Sequence, residues 1–207
     1  MDGLFLEYVR DLTDPFVNPQ KRVFFGYLGI AFVLAIAVQI YASRTDLGKV
    51  VAGVLSPKVW LSRSAVADYK ILLINQFLMM GIAPRLITKL AVATALFESL
   101  HLWLDGRVTL LPDAPDWAIA ALFSCALFLM DDVTKYFVHR ALHRWPVLWA
   151  FHRVHHSAET LTPFTVYRTH PVEALIFSIR GILVHAVAIG GFLYFFGSRA
   201  DLLTILG

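Results

Sequence analysis

Two short stretches, HRALH at residues 139–143 and FHRVHH at residues 151–156, crowd His139, His143, His152, His155 and His156 into one segment of an otherwise oily chain. With His170 they make six of the eight histidines. Successive helical residues turn by about 100°, so His139 and His143, four apart, project from nearly one face. In the second group His152 and His155 are three apart and His152 and His156 four apart, which gives the same convergence on a helix. Pro146 between the groups lets the chain turn, so two arms of imidazoles can meet at one centre. Scattered histidines would suit a lipid-headgroup interface, but paired spacing of this kind favours metal ligation. Imidazole accepts zinc, copper and iron alike, so spacing leaves the metal open.

Traced backwards along its helix, the first stripe adds Asp132 and Tyr136 to the face of His139 and His143. Asp132 is expected to orient an imidazole N–H from behind, and Tyr136 to be an interfacial aromatic. Asp131 and Lys135 read as a helical ion pair. Glu173, just after His170 and Pro171, is expected in the first turn of the next helix, where an acid suits the helix dipole.

The elements that hold these residues must lie in a membrane. Of 207 residues, 58% are hydrophobic and only 16% charged, too apolar a balance for a soluble domain of this size. Cys125 is the single cysteine, which excludes an intramolecular disulfide and a cysteine metal site. The net charge is +3, and Lys135, Arg140, Arg144, Arg153 and Arg168 crowd the histidine segment. Such a cluster fits a cytoplasmic membrane face, its arginines meeting phosphates, rather than nucleic acid.

Residues 1–22 are mixed and polar, with Asp14-Pro15 and Asn18-Pro19 as turn signals, and the acids there argue against a cleaved signal peptide. Val23 to Tyr41 is uncharged and long enough to cross a hydrocarbon core of ~30 Å. Residues 42–70, with Arg44, Lys49, Lys58, Arg63 and Lys70, read as a polar loop with short interfacial helices. Residues 71–104 are interrupted by Pro84, Arg85 and Lys89. They form two short spans or one span preceded by a re-entrant piece, and charge favours the second, which puts the acidic loop 105–116 outside and both basic loops inside. Trp117 to Val138 and Glu173 to Phe196 complete the set. The expected fold is all-α, an integral membrane helical bundle of about four transmembrane helices. It forms a single membrane domain over 1–207, with the histidine region at 120–180 facing the cytosol. Trp103, Trp117, Trp145 and Trp149 fit interfacial belts. His101 and His185, in apolar stretches away from the cluster, are expected to be satisfied within the protein. As axial ligands of a haem they would instead make an electron carrier, a reading that leaves the dense segment unexplained.

These residues resemble the fatty acid hydroxylase and sterol desaturase superfamily of membrane histidine-box oxygenases. HRALH matches its His-x3-His box and HRVHH its His-x2-His-His box. DDVTKYFVHRALH resembles the acid and tyrosine ahead of the first box, and RTHPVEAL the continuation after the second. The resemblance implies a cytosol-facing di-iron centre, with zinc as the ion an isolated protein can carry instead. It further implies dioxygen, a lipid substrate such as a sterol or fatty acyl chain, and electrons from a reductase, ferredoxin or cytochrome, giving hydroxylation or desaturation. His139, His143, His152, His155 and His156 inherit the ligand role, and His170 carries over as a further candidate. The family has a third His-x2-His-His box downstream, and the chain reaches Gly207 without it. The expectation is therefore a C-terminally incomplete chain, with an inactive metal-binding fragment as the alternative.

Overall fold

The computed structural model describes residues 2–43, 46–82, 88–104 and 109–197. Arg44, Pro84, Arg85, the start of the acidic loop at 105–108 and the apolar end from residue 198 lie outside them. The described residues are all-helical, with no strand among them. Among the described residues, four helices are long and apolar enough to cross a membrane: α2 (Phe25–Ser43), α5 (Arg63–Ile82), α7 (Asp116–Arg144) and α9 (Pro171–Phe196). The remaining helices are α1 (Asp2–Val17), α3 (Leu47–Val54), α4 (Pro57–Trp60), α6 (Lys89–Trp103) and α8 (Pro146–His152).

Several boundaries differ from the sequence reading. Pro15 falls inside α1, so Asp14-Pro15 does not break the chain. Its ring sits in the last turn, and the helix stops ahead of Asn18-Pro19, where the Asn18 amide still reaches the Asp14 carbonyl at 2.9 Å. The polar loop expected over 42–70 does hold short helices, α3 capped by Asp46 and α4 capped by Ser56, but it ends early. Residues 63–70 are the first turns of α5. The long apolar helix of that region is consequently its first piece rather than its second. At 15 residues α6 extends roughly 22 Å, short of a hydrocarbon core. Pro146 does end α7, whose last residue is Arg144, and starts α8.

The chain divides into two compact units, each discontinuous in sequence. The first comprises Met1–Arg85 and Phe151–Pro171. Its centre is aromatic: Phe164 packs edge-on against Tyr69 of α5 at 5.0 Å between ring centroids, and at a tilt of 49° against Phe16 of α1 at 5.5 Å. The Tyr8 hydroxyl donates to the Leu73 carbonyl, and the Tyr69 hydroxyl to the Trp60 carbonyl, fastening α1 and α4 to α5. Burial pushes the Tyr167 phenol above its ordinary pKa, with the Asp14 charge adding to the shift, so it stays protonated at neutral pH.

The second unit comprises Leu86–Ala150 and Val172–Gly207. Here α6 and α9 approach so closely that a Cβ on Gly190 would stand 2.8 Å from the Ala93 carbonyl oxygen. Phe123 of α7 meets Phe192 of α9 edge-on at 5.1 Å, and Tyr194 lies fully buried against the His101 ring. Arg180, in the apolar run of α9, is held by Asp131 Oδ1 at 2.8 Å and Thr134 Oγ1 at 2.9 Å on α7. A charge in a spanning segment is costly unless it is paired this way. Gly197, at φ 64°, follows α9 in the left-handed conformation that ends many helices.

Candidate metal centre

In the second unit, α7 runs on past its apolar stretch for two further turns and carries His139 and His143 with it. Four residues of helix bring the two Nε2 atoms to 3.1 Å, both rings exposed. The His143 ring also packs on Trp149 at 5.3 Å between centroids, a contact beyond the interfacial role the sequence suggested for that tryptophan. In the first unit, His152 closes α8 and is 1% exposed. Its Nε2 lies 3.1 Å from that of His156.

The second group does not ride on one α-helix as expected. After His152 the chain turns and enters a 3-10 segment, His155–Ser157. The tighter winding still returns His156 beside His152, but it gives His155 a different neighbour. His155 stacks on the His152 ring, at 5.6 Å and 23°, and its Nδ1 faces the Arg168 carbonyl at 3.3 Å. A carbonyl oxygen only accepts, so a hydrogen bond here needs the proton on Nδ1, an arrangement that leaves the Nε2 lone pair for a ligand role. His170 packs its ring on Phe151 at 4.8 Å.

Nitrogens bound to one ion at about 2.0–2.1 Å stand about 2.8–3.4 Å apart, between right-angle and tetrahedral arrangements. The spacing within each pair falls inside that window, so each is a ready bidentate arm. Among the described residues, His139 with His143 and His152 with His156 are thus the candidate ligand pairs. An all-imidazole donor set suits zinc, copper and iron alike, whose ions take neutral nitrogen ligands.

Of the other predicted residues, Asp132 is exposed, and among the described residues its carboxylate makes no hydrogen bond. The Tyr136 hydroxyl accepts from Arg140 at 3.1 Å. Asp131 and Lys135 form the expected helical ion pair. Glu173 lies in the first turn of α9, as predicted. His101 and His185 each donate Nδ1–H to the carbonyl four residues earlier, at 3.1 and 2.8 Å, the satisfied state expected of them.

Arg168 requires a correction. Grouped by sequence with the phosphate-facing cations, it is 2% exposed and ion-paired with the fully buried Asp68 of α5. The sequence reading passed over Asp68 and Ser64, which lie one helical turn apart among cations. The signal available was a lone acid and a serine at i, i+4 on a helix face.

No solved structure matches the chain. Residues 124–205 match the family model described as Fatty acid hydroxylase. The matched stretch takes in the second half of α7, both histidine pairs and α9. Over residues 124–205 the chain is similar to the fatty acid hydroxylase family.

Proposed function

We propose that this chain is a membrane-bound, metal-dependent oxygenase that hydroxylates or desaturates a C–H bond of a lipid, a sterol or fatty acyl chain, with dioxygen. The observation that carries the reading is the pair of histidine arms, each with 3.1 Å between its Nε2 atoms, inside the segment that matches the family. In this reading His139, His143, His152 and His156 would hold iron, with His155 and His170 as further ligands. Bound iron would supply the activation of dioxygen.

The chain's own residues contribute position. The helices able to cross a membrane deliver a lipid laterally, without its leaving the bilayer. Lys135, Arg140, Arg144 and Arg153 hold the histidine segment at the cytoplasmic face by their positive charge. Buried His152 keeps one arm of the centre out of bulk water. Hydroxylation takes one dioxygen, two electrons and two protons, putting one oxygen atom into the C–H bond and the other into water. The electrons come from a reductase, ferredoxin or cytochrome.

The test is the purified full chain in detergent, loaded with ferrous iron and given a chemical reductant, a mixed lipid extract and labelled dioxygen. Label in a lipid hydroxyl, or a dioxygen-dependent new double bond, is the expected result. A chain that retains no iron and yields neither product overturns the proposal.

A further inference from the structure

Within the first unit, one side chain grips the segment that carries the second group of histidines. The Arg168 guanidinium pairs through Nε with the Asp68 carboxylate. Its Nη2 donates to the Ser64 carbonyl at 2.5 Å and to Ser64 Oγ at 2.9 Å, and its Nη1 donates to Ser157 Oγ at 3.3 Å. Asp68 Oδ2 accepts from Thr165 at 2.8 Å, and Ser64 Oγ accepts the amides of Glu159 and Thr160 at 3.2 Å each. The loop between the 3-10 turn and Arg168 is thus sewn to α5 along its length. The backbone oxygen of the same arginine meets His155 Nδ1. Arg168 therefore holds the 3-10 turn His155–Ser157 at both ends, with its carbonyl at the first residue and its guanidinium at the last.

A buried ion pair is a poor way to gain stability, because desolvating two charges offsets most of their attraction, and apolar residues of the same volume often do as well. What such a pair does supply is a fixed geometry. We propose that Asp68 and Arg168 are positioning residues for the metal centre: locked by Asp68 and Ser64, Arg168 presents its carbonyl to His155 and thereby sets that ring's tautomer and direction, with Nε2 free to ligate. The inference rests on the metal reading above. Outer partners that orient a ligating imidazole typically govern its metal affinity about 10–100-fold.

The full chain in detergent micelles tests this in two measurements. Nitrogen NMR of the metal-free native protein, with the His155 signal assigned by its loss in His155→Gln, should show the Nδ1-protonated tautomer. An Nε2-protonated ring overturns the proposal. Cobalt(II) titration, read by its visible ligand-field bands, should then compare the native chain with the double variant Asp68→Ala/Arg168→Met. The double variant leaves no charge stranded and the Arg168 backbone carbonyl in place. With helicity retained, cobalt affinity should fall about 10-fold or more and the bands shift. Equal affinity with an unchanged spectrum overturns the positioning role and leaves the metal reading intact. A native chain that binds no cobalt defeats the metal reading and this inference with it. Should the double variant lose its helices, the tautomer in the native chain decides alone.

Discussion

Replacing His143 with alanine removes one of two nitrogens 3.1 Å apart on an exposed helical face, and replacing His156 does the same to the second arm. Neither side chain is part of the packed interior, so each variant should keep its helicity while metal content measured on the purified protein falls by more than tenfold, beyond the ~10–100-fold range typical of losing an outer partner at its lower end. Retained metal in both would remove these histidines from the ligand set. Buried charge behaves in the opposite way. Asp68→Ala leaves the Arg168 guanidinium, 3% exposed, without its counter-charge, and breaking such a pair from one side costs about 3–5 kcal/mol. A drop of many degrees in apparent melting temperature should follow. Lys135→Ala, cutting a pair whose lysine is 42% exposed, should cost no more than about 1 kcal/mol. The histidine pairs were legible in the sequence because ligand spacing within one or two turns is a local property. The Asp68–Arg168 pair was not, since its partners lie 100 residues apart and only the tertiary fold joins them.

At the scale of elements, α6 and α9 meet at a point where glycine is required for space. A methyl group on Gly190 would stand 2.8 Å from the Ala93 carbonyl and 3.3 Å from a Leu96 methyl. The carbonyl belongs to a helix backbone and cannot swing aside, so Gly190→Ala must push the two helices apart. Overpacking of this kind costs about 1–3 kcal/mol. Gly29 on α2, whose added Cβ would meet nothing within 4 Å, supplies the control: Gly29→Ala should leave the melting temperature unchanged or raise it slightly, since alanine favours a helix interior over glycine. Equal behaviour of the two variants would show that α6 and α9 are not in contact at Gly190. The elements themselves were readable wherever long apolar runs made them, as in α2, α7 and α9. The reading failed where short polar stretches fold by tertiary contact. Residues 63–70 looked like loop because Arg63, Asp68 and Lys70 interrupt the apolar pattern, yet they open α5 with Asp68 turned inward to Arg168. The turn at His155 likewise departs from an α-helix, and Arg168 contacts both of its ends from 11 to 13 residues away.

For the whole molecule, the apolar lengths of α2, α5, α7 and α9 ask for a bilayer, and α7 makes that testable at one atom. Cys125 is the chain's single cysteine, exposed on the surface of α7. At 1.5 Å per residue it stands about 14 Å along the axis from Asp116, near the middle of a ~30 Å hydrocarbon core, while His139 stands about 35 Å along, past the far edge. With α7 entering a bilayer at Asp116, its thiol would lie at the depth of acyl chains and its first imidazole beyond the hydrocarbon core. A maleimide reacts with the thiolate, and a thiol in apolar surroundings stays protonated. A charged, membrane-impermeant maleimide should therefore leave Cys125 unmodified in intact vesicles of either orientation and modify it fully once SDS has dissolved the bilayer and unfolded the chain. Rapid modification in intact vesicles would put the middle of α7 in water. The histidine pair at its end would then have no reason to lie at a membrane surface.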